Sequence, residues 1–376
     1  YKKFKTDFKN KDLRLNSYVV FLFLIISIYS FNRYSGWGND AQAHIFYYLS
    51  IIYFLDHIFH PNNRNNFNKL LATSLFTFLI KPFYLISYLM PLVLFLLDKD
   101  KFQIIKSKIF IFLILFSFLW FLKNFLISSC LIYPVNSLCI ESTTWYDKDR
   151  TYKAAIEGEA WSKDWGNKKK EYNSMSFDEY VSNFNWVKTW LENHFKVVIE
   201  KTLPVIIFLI FIFVIFYFTK CLKKNYLAEK NYALIILYFI NLLGCFAWFA
   251  EFPIYRYGSS YIHTFFVLTF YFILLKNVDM GKIIKLKSMF ILIIYIGFLG
   301  IFAKNFNRVL KTENKLIYPV MYDKNFDGSV IKFYNKKGKF IHYRNEKGLC
   351  GYSKSPCRFI DTDINKNVFL GYIIFK

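Results

Sequence analysis

The sequence predicts an all-α integral membrane protein of about nine transmembrane helices, with seven as the alternative. A helical extracytoplasmic loop and a small β-rich C-terminal extracytoplasmic appendage complete the expected fold. Three observations carry this. The 376 residues are 55% hydrophobic and 22% aromatic, beyond what soluble globular chains usually reach. Apolar stretches at 17–31, 108–128, 203–218, 232–250, 261–275 and 289–303 are each about long enough to cross a bilayer core. The short segments between alternate pairs of these stretches are crowded with lysine, the pattern of cytoplasmic loops.

The net charge is +23. Its placement in short loops beside apolar spans argues for a membrane surface and against nucleic acid as a partner. Phe and Tyr number 46 and 29. Such abundance fits an AT-rich coding bias, so a single aromatic residue is weak evidence for a site. The chain opens at Tyr1 with a basic stretch, Lys2 to Arg14, and no short apolar segment ending in a cleavage site. The expectation is a fragment lacking its natural N-terminus.

Residues 1–16, 98–108, 220–230 and 276–287 are lysine-rich and are expected on the cytoplasmic side. Residues 32–42, 129–201, 251–260 and 304–376 then share the extracytoplasmic side. One region is open to two readings. Residues 43–59 are apolar but contain Asp56 and His57, and 69–97 is interrupted by Lys81-Pro82. If 43–59 crosses and 69–97 is a helical hairpin turning at Lys81-Pro82, there are nine crossings. If 43–59 lies in the interface and 69–97 is one helix kinked at the proline, there are seven.

Four regions follow: N-terminal transmembrane helices over 1–128, a Trp-rich module over 129–201, C-terminal transmembrane helices over 202–303, and a tail over 304–376. In the module, 177–201 reads as a helix with Trp186, Trp190 and His194 on one face. Either its tryptophans anchor it at headgroup level, or they form a lid that stacks on sugars. The tail alternates Gly, Asn, Asp and Lys with β-prone runs at 329–334, 339–343 and 368–375.

Cys130 and Cys139 lie at the start of the module, Cys350 and Cys357 in the tail. Two local pairs on the oxidising side read as disulfides. Zinc would want tighter spacing or neighbouring histidines, so no metal is expected. Cys221 and Cys245 read as packing residues.

Ionisable residues at the outer ends of spans are the candidates for chemistry, because they are costly there. Asp40 and His44 stand one helical turn apart after Gly36-Trp37-Gly38-Asn39. Asp40 is suited either to general base or to helix N-cap. Arg256, in Pro253-Ile-Tyr255-Arg256-Tyr257-Gly258, is suited either to phosphate binding or to a pair with Glu251. Lys81 sits at the expected outer turn, and Lys123-Asn124 near the outer end of its span. No nucleotide-binding or zinc-protease motif is present, and no cofactor is expected.

These motifs, together with Leu79-Ile-Lys81, Trp161-Ser-Lys163 and the Cys350–Cys357 segment, give a resemblance. The chain resembles uncharacterised bacterial multi-pass membrane proteins allied to GT-C type glycosyltransferases of cell-surface polysaccharide loci. The resemblance implies a polyprenyl-phosphate-linked sugar donor and a glycan or lipid acceptor on the outer face. It also implies inverting transfer with a loop carboxylate as base, in the bacterial inner (cytoplasmic) membrane. Asp40 is then the candidate catalytic residue, with Arg256, Lys81, Glu251 and His44 on substrate. A polysaccharide polymerase or ligase, and a non-enzymatic transporter or flippase of lipid-linked saccharides, are the competing expectations.

Overall fold

The computed structural model describes residues 14–34, 38–61, 63–97, 105–168, 174–219, 232–277 and 286–311, and four short strands between 330 and 375. Eleven helices are described: α1 (Arg14–Tyr34), α2 (Asp40–Phe59), α3 (Arg64–Ile80), α4 (Leu89–Leu97), α5 (Lys108–Ser128), α6 (Lys148–Ser162), α7 (Phe177–Ser182), α8 (Trp186–Phe218), α9 (Tyr232–Glu251), α10 (Tyr255–Asn277) and α11 (Lys287–Lys311). Among the described residues, five are long and apolar enough to cross a membrane: α1, α5, α8, α9 and α11. Several such helices in one chain fit a multi-pass membrane protein.

The chain forms two compact units, one of residues 1–140 and 148–304, the other of 141–147 and 305–376. The first is a helix bundle. In the second, β1 (Val330–Tyr334) pairs antiparallel with β2 (Ile341–Asn345), and β3 (Lys366–Phe369) with β4 (Tyr372–Phe375). These are two separate two-stranded ribbons. The run 368–375, read as one strand, is divided between β3 and β4. A β-rich domain is more than two ribbons establish.

The break at Lys81-Pro82 has a simple cause. A residue before proline is sterically pushed out of the α region, and Lys81 is extended, at φ −145° and ψ 102°. α3 therefore stops at Ile80. Pro82 opens a 3-10 stretch, Pro82–Tyr88, which leads into α4. The Ser87 hydroxyl donates to the Ser74 carbonyl at 3.1 Å, so the chain folds back on α3. Residues 69–97 therefore turn back at Lys81-Pro82 rather than forming one kinked helix.

Helix α8 departs from the expected module boundary. It runs 33 residues without a break, through Pro204. At 1.5 Å per residue that is about 50 Å, well beyond an apolar core of about 30 Å. The boundary at 201/202 falls inside one continuous helix. Trp186 and Trp190, at its start, are neither membrane anchors nor an open platform. Both are buried. Trp190 donates its indole N–H to the Pro253 carbonyl at 2.6 Å, and both rings pack on Phe249.

Hydrogen bonds define the two ends of the bundle. At one end Asn16 of α1 donates to Asp56 of α2 at 3.2 Å and accepts from Tyr271 of α10 at 3.0 Å. At the other, the starts of α2 and α10 meet the end of α3. The start of α1 and the ends of α2 and α10 therefore share one end, and the starts of α2 and α10 share the other with the end of α3.

α9 and α10 approach closely through two glycines, as membrane helices often do. A Cβ on Gly244 would lie 2.3 Å from the Tyr261 ring, and one on Gly258 would lie 2.3 Å from the Trp248 ring. Trp248 is itself held by its hydrogen bond to the Ile254 carbonyl at 2.8 Å. Gly258→Ala is expected to destabilise the bundle by about 1–3 kcal/mol through overpacking. Gly158→Ala on α6, where a Cβ meets nothing within 4 Å, is expected to be neutral or slightly stabilising. Thermal unfolding of the two variants in detergent checks the contrast.

Candidate functional site

Three helix ends converge on one carboxylate. Asp40 is the first residue of α2 and is almost wholly buried, at 3% exposure. It is not the N-cap: Asn39 holds that position, without a side-chain cap bond. Asn39 instead donates to the Ile80 carbonyl at 3.2 Å, pinning the start of α2 to the end of α3. One Asp40 oxygen accepts a short hydrogen bond from the Lys81 ammonium. The other faces Arg256 Nε at 3.5 Å.

Tyr257 completes the cluster. Its ring lies 3.4 Å below the Lys81 ammonium, a close cation–π contact. Its hydroxyl accepts from Arg256 Nη2 at 2.9 Å. Tyr84, one turn after Lys81, donates to the Tyr257 carbonyl at 3.0 Å and shares a 2.6 Å hydrogen bond with Ser260. The 3-10 stretch and the first turn of α10 are thereby locked together. Burial pulls the Lys81 ammonium down to about 8, against the hydrogen bond and charge of Asp40, which raise it. Arg256 remains 42% exposed, while Lys81 is 16% and Asp40 4% exposed at the side chain. The cluster holds two cations and one carboxylate, and its open side is the guanidinium.

The sequence-derived candidates divide accordingly. Asp40, Lys81 and Arg256 are together. His44, one turn below Asp40, is fully buried, with Nδ1 3.3 Å from the Ser259 hydroxyl. Glu251 does not pair with Arg256; Asp40 takes that place. The Glu251 carbonyl accepts from Ser162 at 3.2 Å, and its carboxyl senses Glu159 and Lys163. Cys130 and Cys139 are joined as a disulfide. Cys350 and Cys357 lie outside the described residues. No group of three or more His, Cys, Asp or Glu that could hold a metal occurs among the described residues.

Sequence reasoning passed over Tyr257, Tyr84 and His263. Tyr257 adjoins Arg256, and its stacking value depends on Lys81, far away in sequence. His263 bridges the hydroxyls of Tyr48, at 3.1 Å, and Tyr255, at 3.0 Å. Nothing in the local sequence distinguishes it from a core histidine.

Removing one partner of a buried ion pair strands the other charge. Asp40→Asn is therefore expected to cost a few kcal/mol, as it leaves Lys81 and Arg256 facing each other. Adding Lys81→Met to Asp40→Asn is expected to recover much of that loss, so that the two effects are non-additive. Unfolding midpoints of the two single variants and the double variant test this; simple additivity would argue against the pairing.

No curated protein and no solved structure matches the chain. The sequence model of a family described as Domain of unknown function (DUF8201) matches residues 1–263, which include Asp40, Lys81 and Arg256, and the chain belongs to that family.

Proposed function

We propose that this protein is a membrane glycosyltransferase of GT-C type, moving a sugar from a polyprenyl-phosphate donor to a glycan or lipid acceptor. The observation that supports the reading is the convergence of Asp40, Lys81 and Arg256 from three helix ends. In the proposed reaction the acceptor hydroxyl gives its proton to Asp40. Its oxygen forms the new bond to the sugar's anomeric carbon. The bond from that carbon to the phosphate oxygen breaks, and the polyprenyl phosphate leaves with the electron pair. Arg256 and Lys81 meet the charge that develops on it.

The resting cluster suggests how donor and base are coupled. Both Asp40 oxygens are engaged by cations, so the carboxylate is masked. An incoming phosphate competes for the same cations and frees an oxygen for the acceptor. Arg256, the exposed member, is the first contact. The nine-crossing arrangement, with this end of the bundle and the C-terminal appendage outside the cell, belongs to the same proposal. So does the placement in a bacterial inner membrane.

A transporter of lipid-linked saccharides is the second reading. It draws on ionisable groups buried within helices, namely His44, Asp56 and His263.

Transfer from a polyprenyl-phosphate sugar by the full chain in nanodiscs tests the first reading. Asp40→Asn is expected to abolish transfer while the donor still binds. Arg256→Lys keeps the charge but loses the planar fork, and is expected to lower the rate by about 10²-fold or more. Full activity in Asp40→Asn would sink the proposal. Binding of polyprenyl phosphate is expected to weaken as pH rises through about 8, because loss of the Lys81 proton removes one of the two cations. A binding curve flat from pH 7 to 9 would contradict this.

Sidedness has its own test. A cysteine replacing Lys153, on the exposed surface of α6, is expected to label in intact cells. One replacing Lys106 is expected to label only after lysis. The reverse pattern would invert the topology.

A further inference from the structure

A groove of about 380 Å³ runs between α1 and α11, at the lower end of the range of ligand pockets. One face of α1 lines it with Ile25, Ile28, Tyr29 and Asn32, spaced as successive turns of one stripe. From α11 come Ile293, Ile296, Gly297, Gly300, Ile301 and Lys304. The two helices run parallel in the proposed topology, and the lining changes character along them. Isoleucines fill the deep part. The polar groups, Asn32 and Lys304, stand at the shallow end on both helices. Lys304 is exposed.

The glycines make the space. A Cβ on Gly297 would come within 3.2 Å of Ile28, so there the helices pack closely. At Gly300, one turn on, a Cβ would meet nothing within 4 Å. The groove is therefore open where a side chain of ordinary size would fill it. From Ile293 to Lys304 the lining extends about 16 Å along the axis, the depth of one leaflet of an apolar core about 30 Å thick.

We propose that this groove seats one acyl chain of an anionic glycerophospholipid, with its phosphate at Lys304. The gradient from isoleucine to amide and ammonium matches an amphiphile lying head outward. The one-leaflet length matches an acyl chain better than a long isoprenoid. The lysine supplies the charge complement. The site is separate from the Asp40 cluster and does not depend on the glycosyl-transfer reading.

The test uses the full chain in nanodiscs of equal phosphatidylglycerol and phosphatidylcholine, with retained lipid counted by native mass spectrometry. The wild type is expected to retain phosphatidylglycerol about fivefold over phosphatidylcholine, the preference one surface lysine gives toward an anionic lipid. Lys304→Gln is expected to remove the preference while lipid is still retained. Gly300→Leu, which fills open space and has no clash to relieve, is expected to lower total retention without lowering the thermal midpoint. Equal retention of the two lipids by the wild type would overturn the proposal. So would unchanged retention in Gly300→Leu. A dimer formed by the wild type and lost in Gly300→Leu would assign the groove to a second copy and overturn it as well. Preference for polyprenyl phosphate, when that lipid is added in competition, would do the same.

Discussion

The contact on which the described bundle most depends is the Asp40 carboxylate held between Lys81 and Arg256. Its three residues come from the start of α2, the break after α3 and the start of α10. No two of the three are close in sequence. A carboxylate at 3% exposure in a membrane protein is costly unless its charge is met. Meeting it with cations from two other elements makes their positions conditional on its own. The Lys81-Pro82 break gains a purpose from this. Without the break, α3 would continue and carry the ammonium off along the helix. With it, Lys81 is extended and reaches sideways to α2. Tyr257, placed between the two cations, keeps them near each other at modest electrostatic expense, because its ring faces Lys81 and its hydroxyl accepts from Arg256.

Much of the fold was legible because bilayer helices obey few rules. Apolar length marked α1, α5, α8, α9 and α11. Pro82 marked the hairpin, since proline's effect on its predecessor is local. The site was legible in part. Asp40, Lys81 and Arg256 were singled out as ionisable groups at helix ends, and helix ends on one side of a bundle are near each other. Glu251 met the same criterion and lies elsewhere. What separates it is the direction of its helix end, which faces Ser162 and Lys163 at the end of α6. Direction is a tertiary property, and a charge pattern along the chain does not carry it.

The tryptophans show the opposite failure. Trp186 and Trp190 have the spacing of an amphipathic face, and periodicity says only that one side differs from the other. It does not say whether that side meets lipid, sugar or protein. Here it meets protein: Phe249, Trp248 and the Pro253 carbonyl. The reason lies in the length of α8. A helix of about 50 Å is some 20 Å longer than an apolar core of about 30 Å, and its first turns, which carry both tryptophans, need an apolar partner. The end of α9 and the 252–254 connection supply it.

This arrangement bears on how the site is held. The connection 252–254 leads directly into Tyr255, Arg256 and Tyr257. One side of it is fixed by Trp190 and Trp248, whose indole N–H groups satisfy the carbonyls of Pro253 and Ile254. The other side is fixed by Tyr84, which accepts no freedom in the first turn of α10. Two elements remote in sequence therefore clamp the segment that presents Arg256. Gly258 lies within the same clamp and has no side chain because the Trp248 ring occupies that space. A half-exposed guanidinium would ordinarily sample many positions. Here its backbone is fixed by aromatic packing from both sides, which holds the guanidinium beside the Asp40 carboxylate and the Tyr257 hydroxyl.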